Sequence, residues 1–150
     1  MGQSLVKNYL HITFSTKGRV PLIIPPVESE LHSYLGGICK NLECQPIEVG
    51  GWVDHVHILC QLSRKLALMK LLEVLKSHSS KWIKTKGERY RKFFWQDGYA
   101  TFSVSPAEVD AVRLYIANQK EHHARTTFQD ELRRLLREQQ VVYDERFLWD

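Results

Sequence analysis

The chain has 150 residues, of which 43% are hydrophobic and 25% charged, and a formal net charge of +4. Those values suit one globular domain over residues 1–150 with a real core, and the positive balance favours an anionic partner. They exclude a membrane span, since no run approaches the roughly 20 apolar residues a bilayer requires. Met1-Gly2-Gln3-Ser4-Leu5 lacks the basic-then-apolar pattern of a leader. Cys39, Cys44 and Cys60 are odd in number and lack paired CxxC spacing, which argues against a disulfide scaffold or a zinc finger and fits a cytoplasmic setting.

The first strand is expected at Tyr9-Leu10-His11-Ile12-Thr13-Phe14, which is rich in β-formers. Lys17-Gly18-Arg19 breaks it, and Pro21, Pro25 and Pro26 hold a loop. Leu31, Tyr34, Leu35 and Ile38 then recur at helical spacing, predicting a helix from Val27 to about Glu43. Pro46 to Gly51 reads as a second strand, with Gly50-Gly51 marking a sharp turn or bulge. A buried third strand follows within Trp52 to Cys60. Leu68, Leu71, Leu72 and Leu75 place a second helix over Leu66 to about Lys84, and Gly87 to Lys92 reads as a basic loop. Phe93 to Val104 should form strands around a Gly98 turn. Ser105-Pro106 with Glu108 is a helix start, predicting a helix to about His122. A last amphipathic helix covers Phe128 to Gln139. The order β-α-β-β-α-β-α-α predicts an α+β fold: a ferredoxin-like antiparallel sheet with helices packed on one face, plus C-terminal helices. The third strand would be central, its other face open to a ligand.

That strand carries His55-Val56-His57. Strand alternation points both imidazoles the same way, which makes half of a metal site. On the helix after Pro106, Val109, Val112 and Ile116 form the apolar stripe, with Tyr115 at its edge and Gln119 close to it. The i, i+4 spacing stacks Tyr115 and Gln119 on one face. An amide oxygen near a packed face needs hydrogen-bond partners or a cation. Mg²⁺ and Mn²⁺ accept amide oxygen, and Mn²⁺ also accepts imidazole. His55, His57 and Gln119 could therefore hold such an ion with positions left for phosphate oxygens, and Tyr115 would lie beside it as a nucleophile.

These residues, in this order, resemble the single-tyrosine transposases of small insertion sequences, the insertion-sequence-200-like members of the HUH endonuclease superfamily. His55-Val56-His57 matches the His-hydrophobic-His motif, and Tyr115 with Gln119 matches the tyrosine helix. His11 to Lys17, Trp95 to Ser105, Gln119 to His123 and Asp144-Glu145-Arg146 follow in the family's order. The resemblance spans nearly the whole chain. It implies a DNA transposase that cleaves and rejoins single-stranded DNA at element ends through a 5′-phosphotyrosine intermediate. Tyr115 would be the nucleophile, and His55, His57 and Gln119 would hold Mg²⁺ or Mn²⁺. It further implies single-stranded DNA hairpins as partners and a homodimer. His122 is left open between an auxiliary ligand and a DNA contact.

Each feature alone has a plainer reading. An HxH on a strand is more often structural, and a helix-edge tyrosine commonly packs its ring and leaves its hydroxyl wet. Asp54 could support a histidine, although strand alternation points it to the opposite face from His55, and a turn position or a neutral contact stands equally open; His78 reads as structural or surface. Lys84, Lys86, Arg89 and Arg91, interleaved with aromatic residues, suit single-stranded DNA as well as they suit a solvated helix end, and Lys17 and Arg19 form a second patch. Arg133, Arg134 and Arg137 read as the solvated face of the last helix, balanced by Asp130, Glu131 and Glu138. Three other functions compete. A domesticated relative would act on repeated genomic hairpins by the same chemistry. A metal-free phosphoesterase with two HxT motifs finds only one match, His11-Ile12-Thr13, and leaves Tyr115 and Gln119 without roles. A non-catalytic DNA-binding module would tolerate Tyr115→Phe.

Overall fold

The computed structural model describes residues 2–150. Strands β1 (Tyr9–Ser15), β2 (Pro46–Trp52), β3 (His55–Gln61) and β4 (Ala100–Val104) form one antiparallel sheet in the order β2-β3-β1-β4. Helices α1 (Val27–Asn41) and α2 (Leu68–Ile83) complete the βαββαβ order of a ferredoxin-like fold. Strand alternation divides the sheet chemically. Leu10, Ile12 and Phe14 of β1 and Val56, Ile58 and Cys60 of β3 join Leu31, Leu35, Leu71 and Leu75 in one core beneath α1 and α2. His11, Thr13, His55 and His57, also buried, fall on the opposite face.

That second face is covered, where an open ligand face was expected. Helix α5 (Phe128–Glu138) lies over it because Phe128, Leu132, Leu135 and Leu136 form an apolar stripe that packs on Phe102 of β4, with Leu148 and Trp149 closing the edge. His55 and His57 are fully buried as a result.

Three boundaries differ from the sequence reading. Gly50 and Gly51 lie inside β2, and the turn into β3 falls at Val53-Asp54. Gly50 is there for proximity: a Cβ on it would sit 2.7 Å from the Ile116 carbonyl oxygen. Gly51 has φ +152°, and its Cβ would meet the His55 carbonyl oxygen at 2.2 Å. From Phe93 to Tyr99 the chain forms no strand beyond a single bridge between Thr16 and Trp95. There Phe93 and Trp95 turn into the first core, the Gln96 side chain accepts the Ser15 N–H at 2.9 Å, and the Lys76 ammonium donates to the carbonyls of Gln96, Asp97 and Gly98. Finally, the helix after Pro106 is interrupted. Helix α3 (Val109–Ala117) ends at Asn118, whose ψ of 21° breaks the α conformation, and α4 (Gln119–His123) follows. Among the described residues no helix is long and apolar enough to cross a membrane.

Candidate active site

The Ile116 contact at Gly50 seats α3 on β2 directly beside His57, since Gly50 is the register partner of His57. Ile116 is the buried anchor of α3, and Tyr115, Gln119 and His123, spaced four apart, face the histidine strand. The expected set is thereby brought together. Gln119 Oε1 lies 3.0 Å from His55 Nε2, and the rings of His57 and Tyr115 are 5.8 Å apart.

The centre of this set is Glu131 of α5, which is buried to 1% exposure. His57 Nε2 donates to its Oε1 at 3.0 Å, and His55 Nε2 is 3.3 Å from the same oxygen. Gln119 Nε2 donates to Oε2 at 2.9 Å, and the Tyr115 hydroxyl donates to Oε2 as well. His123 Nε2 lies 3.2 Å from Oε1 and 2.9 Å from Gln119 Oε1. The ligand atoms of His55, His57 and Glu131 all lie within 4.8 Å of one another, as do those of His122, His123 and Glu131. The sequence reading put Glu131 on a solvated face. The signal that finds it is its place between Phe128 and Leu135, at i+3 and i−4 of the apolar stripe. His123 could have been found from its i+8 spacing to Tyr115.

An outer layer orients these groups. His55 Nδ1 donates to Asp54 Oδ1 at 2.8 Å, although alternation placed Asp54 on the far side; Asp54 sits in the turn, where alternation does not apply. His11 Nε2 is 2.8 Å from His57 Nδ1, so the two imidazoles share one proton between them. Arg134 Nη2 donates to the Tyr115 hydroxyl at 3.1 Å, against the solvated role read for it.

Electrostatics follow from burial and from Glu131. Burial disfavours charge on His55, but its bonds to Asp54 and Glu131 outweigh that and push its pKa up to about 9. Burial holds His57 below the ordinary histidine value, and burial with His57 alongside pushes His11 down to about 3. Burial opposes ionisation of Glu131, yet His57, His123 and His55 hold it well below the usual carboxylate range. Burial, then the Glu131 charge, raises the Tyr115 phenol.

The candidate DNA contacts lie elsewhere. Lys84 and Lys86 follow α2, in the layer that covers the apolar face. Lys84 donates to Ser80 Oγ and the Phe93 carbonyl, and Lys86 pairs with Glu30 at 2.7 Å. Arg91 pairs with Glu88, Arg89 is exposed, Lys17 is 3.6 Å from Asp97, and Arg19 lies over the Trp149 ring. His78 stays on α2, outside the cluster.

A profile of the family described as "Transposase IS200 like" matches residues 4–119. No curated protein matches the chain. Among solved structures, a candidate transposase from Deinococcus radiodurans R1 has 21% identity and a TM-score of 0.62, covering 79% of this chain and 96% of its own. A REP-associated tyrosine transposase bound to a REP hairpin has 10% identity and a TM-score of 0.60, covering 82% of this chain and 73% of its own. At these identities the two structures share the fold, while the profile spans most of the sequence, including the HxH strand and the tyrosine helix. The chain belongs to the family of IS200-like transposases, which are DNA-processing enzymes.

Proposed function

We propose that this transposase cleaves and rejoins single-stranded DNA by tyrosine chemistry assisted by a divalent cation, with Tyr115 as the nucleophile. The observation that carries this reading is the convergence of Tyr115, His55, His57 and Gln119 on one buried carboxylate, Glu131. The donors suit Mn²⁺ or Mg²⁺: two imidazole nitrogens, a carboxylate and an amide oxygen within a few ångströms. His55, His57, Glu131 and Gln119 would hold the ion. When bound, it would polarise the scissile phosphate and offset the charge that builds there. Asp54 keeps the Nδ1 proton of His55 and leaves Nε2 to face the ion, and His11 can serve His57 in the same way by accepting from Nδ1.

In the reaction the Tyr115 oxygen bonds to phosphorus as the bond to the 3′ oxygen breaks, giving a 5′-phosphotyrosine and a free 3′-hydroxyl. Overall the phenol's proton ends on the 3′ oxygen, and the phosphodiester charge is unchanged. A later 3′-hydroxyl reverses the step, so no nucleotide is spent. The DNA enters through a cavity of about 650 Å³ lined by Tyr115, Asn118, His122 and Arg125. Hairpins at element ends are the partner this reading names, and a homodimer is the assembly. A second reading, action on repeated hairpins in a host genome, draws support from the shared fold with a transposase that binds a REP hairpin. The metal-free phosphoesterase reading gains nothing: Thr13 spends its hydroxyl on the Val56 carbonyl, and His11 is engaged by His57.

The test is a denaturing gel of the protein with labelled single-stranded DNA from the flanks of its own gene, with and without Mn²⁺. The expected outcome is a protein-linked band that requires the metal and disappears in Tyr115→Phe and in His57→Ala. A band that persists in Tyr115→Phe would overturn the nucleophile, and one indifferent to metal would overturn the cation. Hairpin binding without any adduct would favour the DNA-binding module.

A further inference from the structure

We propose that Arg134 is a catalytic residue of this transposase, binding the scissile phosphate beside the Tyr115 hydroxyl. The inference rests on the reading of Tyr115 as the nucleophile and extends it to α5, which lies beyond the residues matched by the family profile.

Arg134 Nη2 donates to the Tyr115 oxygen at 3.1 Å, and its guanidinium carbon lies 5.7 Å from the centre of the tyrosine ring. Nη1 donates to Glu138 Oε1 at 3.0 Å, one turn further along α5, which fixes the plane of the fork. Two of the five N–H donors of an arginine are thereby used, and the others have no protein partner among the described residues. The side chain is partly exposed, at 37%, so an incoming anion can reach it. Attack requires phosphorus at roughly 3–3.5 Å from the tyrosine oxygen. A phosphate in that position brings its non-bridging oxygens to the guanidinium that already touches the same tyrosine oxygen. Arginine suits this task because its planar fork holds phosphate oxygens while staying charged throughout. Glu131 and Arg134, three residues apart on α5, thus flank the tyrosine oxygen with an acceptor and a cation.

In the step, the bond from the tyrosine oxygen to phosphorus forms while the bond to the 3′ oxygen breaks. The phenol's proton leaves along its hydrogen bond to Glu131 Oε2 and is relayed through solvent to the 3′ oxygen, so that the carboxylate is restored and no proton is gained or lost. Arg134 keeps its proton and meets the charge spreading over the non-bridging oxygens.

The experiment measures single-turnover adduct formation at saturating single-stranded DNA from the gene's own flanks, alongside hairpin affinity, for wild type, Arg134→Ala, Arg134→Gln and Arg134→Lys. Loss of one such donor slows chemistry by about 10²–10³-fold, and we expect Arg134→Ala and Arg134→Gln to show that loss with affinity unchanged. Arg134→Lys should recover part of the rate, and added guanidinium should restore adduct formation in Arg134→Ala. A merely structural arginine would show no such rescue. Should Arg134→Ala unfold, Arg134→Gln and Arg134→Lys decide the matter at retained melting temperature. Wild-type rates in Arg134→Gln, with no adduct in Tyr115→Phe, would overturn the inference and leave the nucleophile standing. An adduct that persists in Tyr115→Phe would remove both.

Discussion

Glu131 shows how one side chain sets the state of its neighbours. Its carboxylate, with Asp54, favours the charged form of His55, while His11 and His57 are held neutral by burial. The consequences for stability have opposite signs. The folded pKa of His55, about 9, lies above its ordinary 6.5, so its contribution is complete below 6.5 and is lost as pH rises through 9. His11 and His57 are depressed, so below 6.5 the unfolded chain binds protons that the folded chain refuses, and stability falls on that side too. The melting temperature of metal-free protein should therefore peak near pH 6.5 and decline in both directions, as a thermal scan across pH 4–10 would show. With excess Mn²⁺ the alkaline decline should disappear, because the cation takes the place of the His55 proton. A profile rising steadily from pH 6.5 to 9 without metal would contradict the His55 assignment.

At the scale of elements, the decisive contact is the seat of α3 on β2. A methyl group at position 50 would meet the Ile116 carbonyl at 2.7 Å and its side chain at 2.9 Å, and backbone cannot yield as a flexible side chain can. Gly50→Ala should cost roughly 1–3 kcal/mol, typical of overpacking, measured by urea unfolding. It should also slow adduct formation, since lifting α3 moves Tyr115 and Gln119 away from His57. Retained stability and rate would show that the helix seat is tolerant. The elements themselves were largely legible: the heptad-like leucines of α2, the alternation of β1 and the Ser105-Pro106 start all declare a period or a cap. What the chain did not reveal came from tertiary contact. Gly50 looks like part of a turn because its reason, Ile116, lies 66 positions away. Phe93 and Trp95 look like strand residues because aromatic side chains suit strands and buried loops equally. Of the candidate site, His55, His57, Tyr115 and Gln119 were singled out by spacing taken together with the family resemblance, whereas Glu131 and Arg134 looked like two more charges on a charged helix, although Glu131 stands within the apolar stripe.

At the scale of the whole molecule, the basic residues divide by how occupied they are. Lys84, Lys86 and Arg91 are engaged with protein groups, so their loss would mix stability with binding. Arg89 is exposed, and no hydrogen bond or ion pair engages it among the described residues. If it meets a single-strand phosphate, Arg89→Ala should reduce the slope of log affinity against log salt by about 0.7 at unchanged melting temperature. Fluorescence anisotropy over a salt series measures this, and an unaltered slope would place Arg89 off the DNA path.

The two cores lie on opposite sides of one sheet. The larger, beneath α1 and α2, contains none of the histidines, and the smaller, beneath α5, contains little besides Phe102, Phe128 and three leucines. Protein regions held by few apolar contacts open more readily than the body they rest on. Here the lightly held region is the one that carries Glu131 and Arg134 and roofs the histidines. The network around Glu131 thus joins two separately packed bodies, the sheet with its backing helices and the small patch under α5, so a substitution that loosens only the patch, such as Leu132→Ala, should disturb the network while the sheet and its two backing helices stay folded.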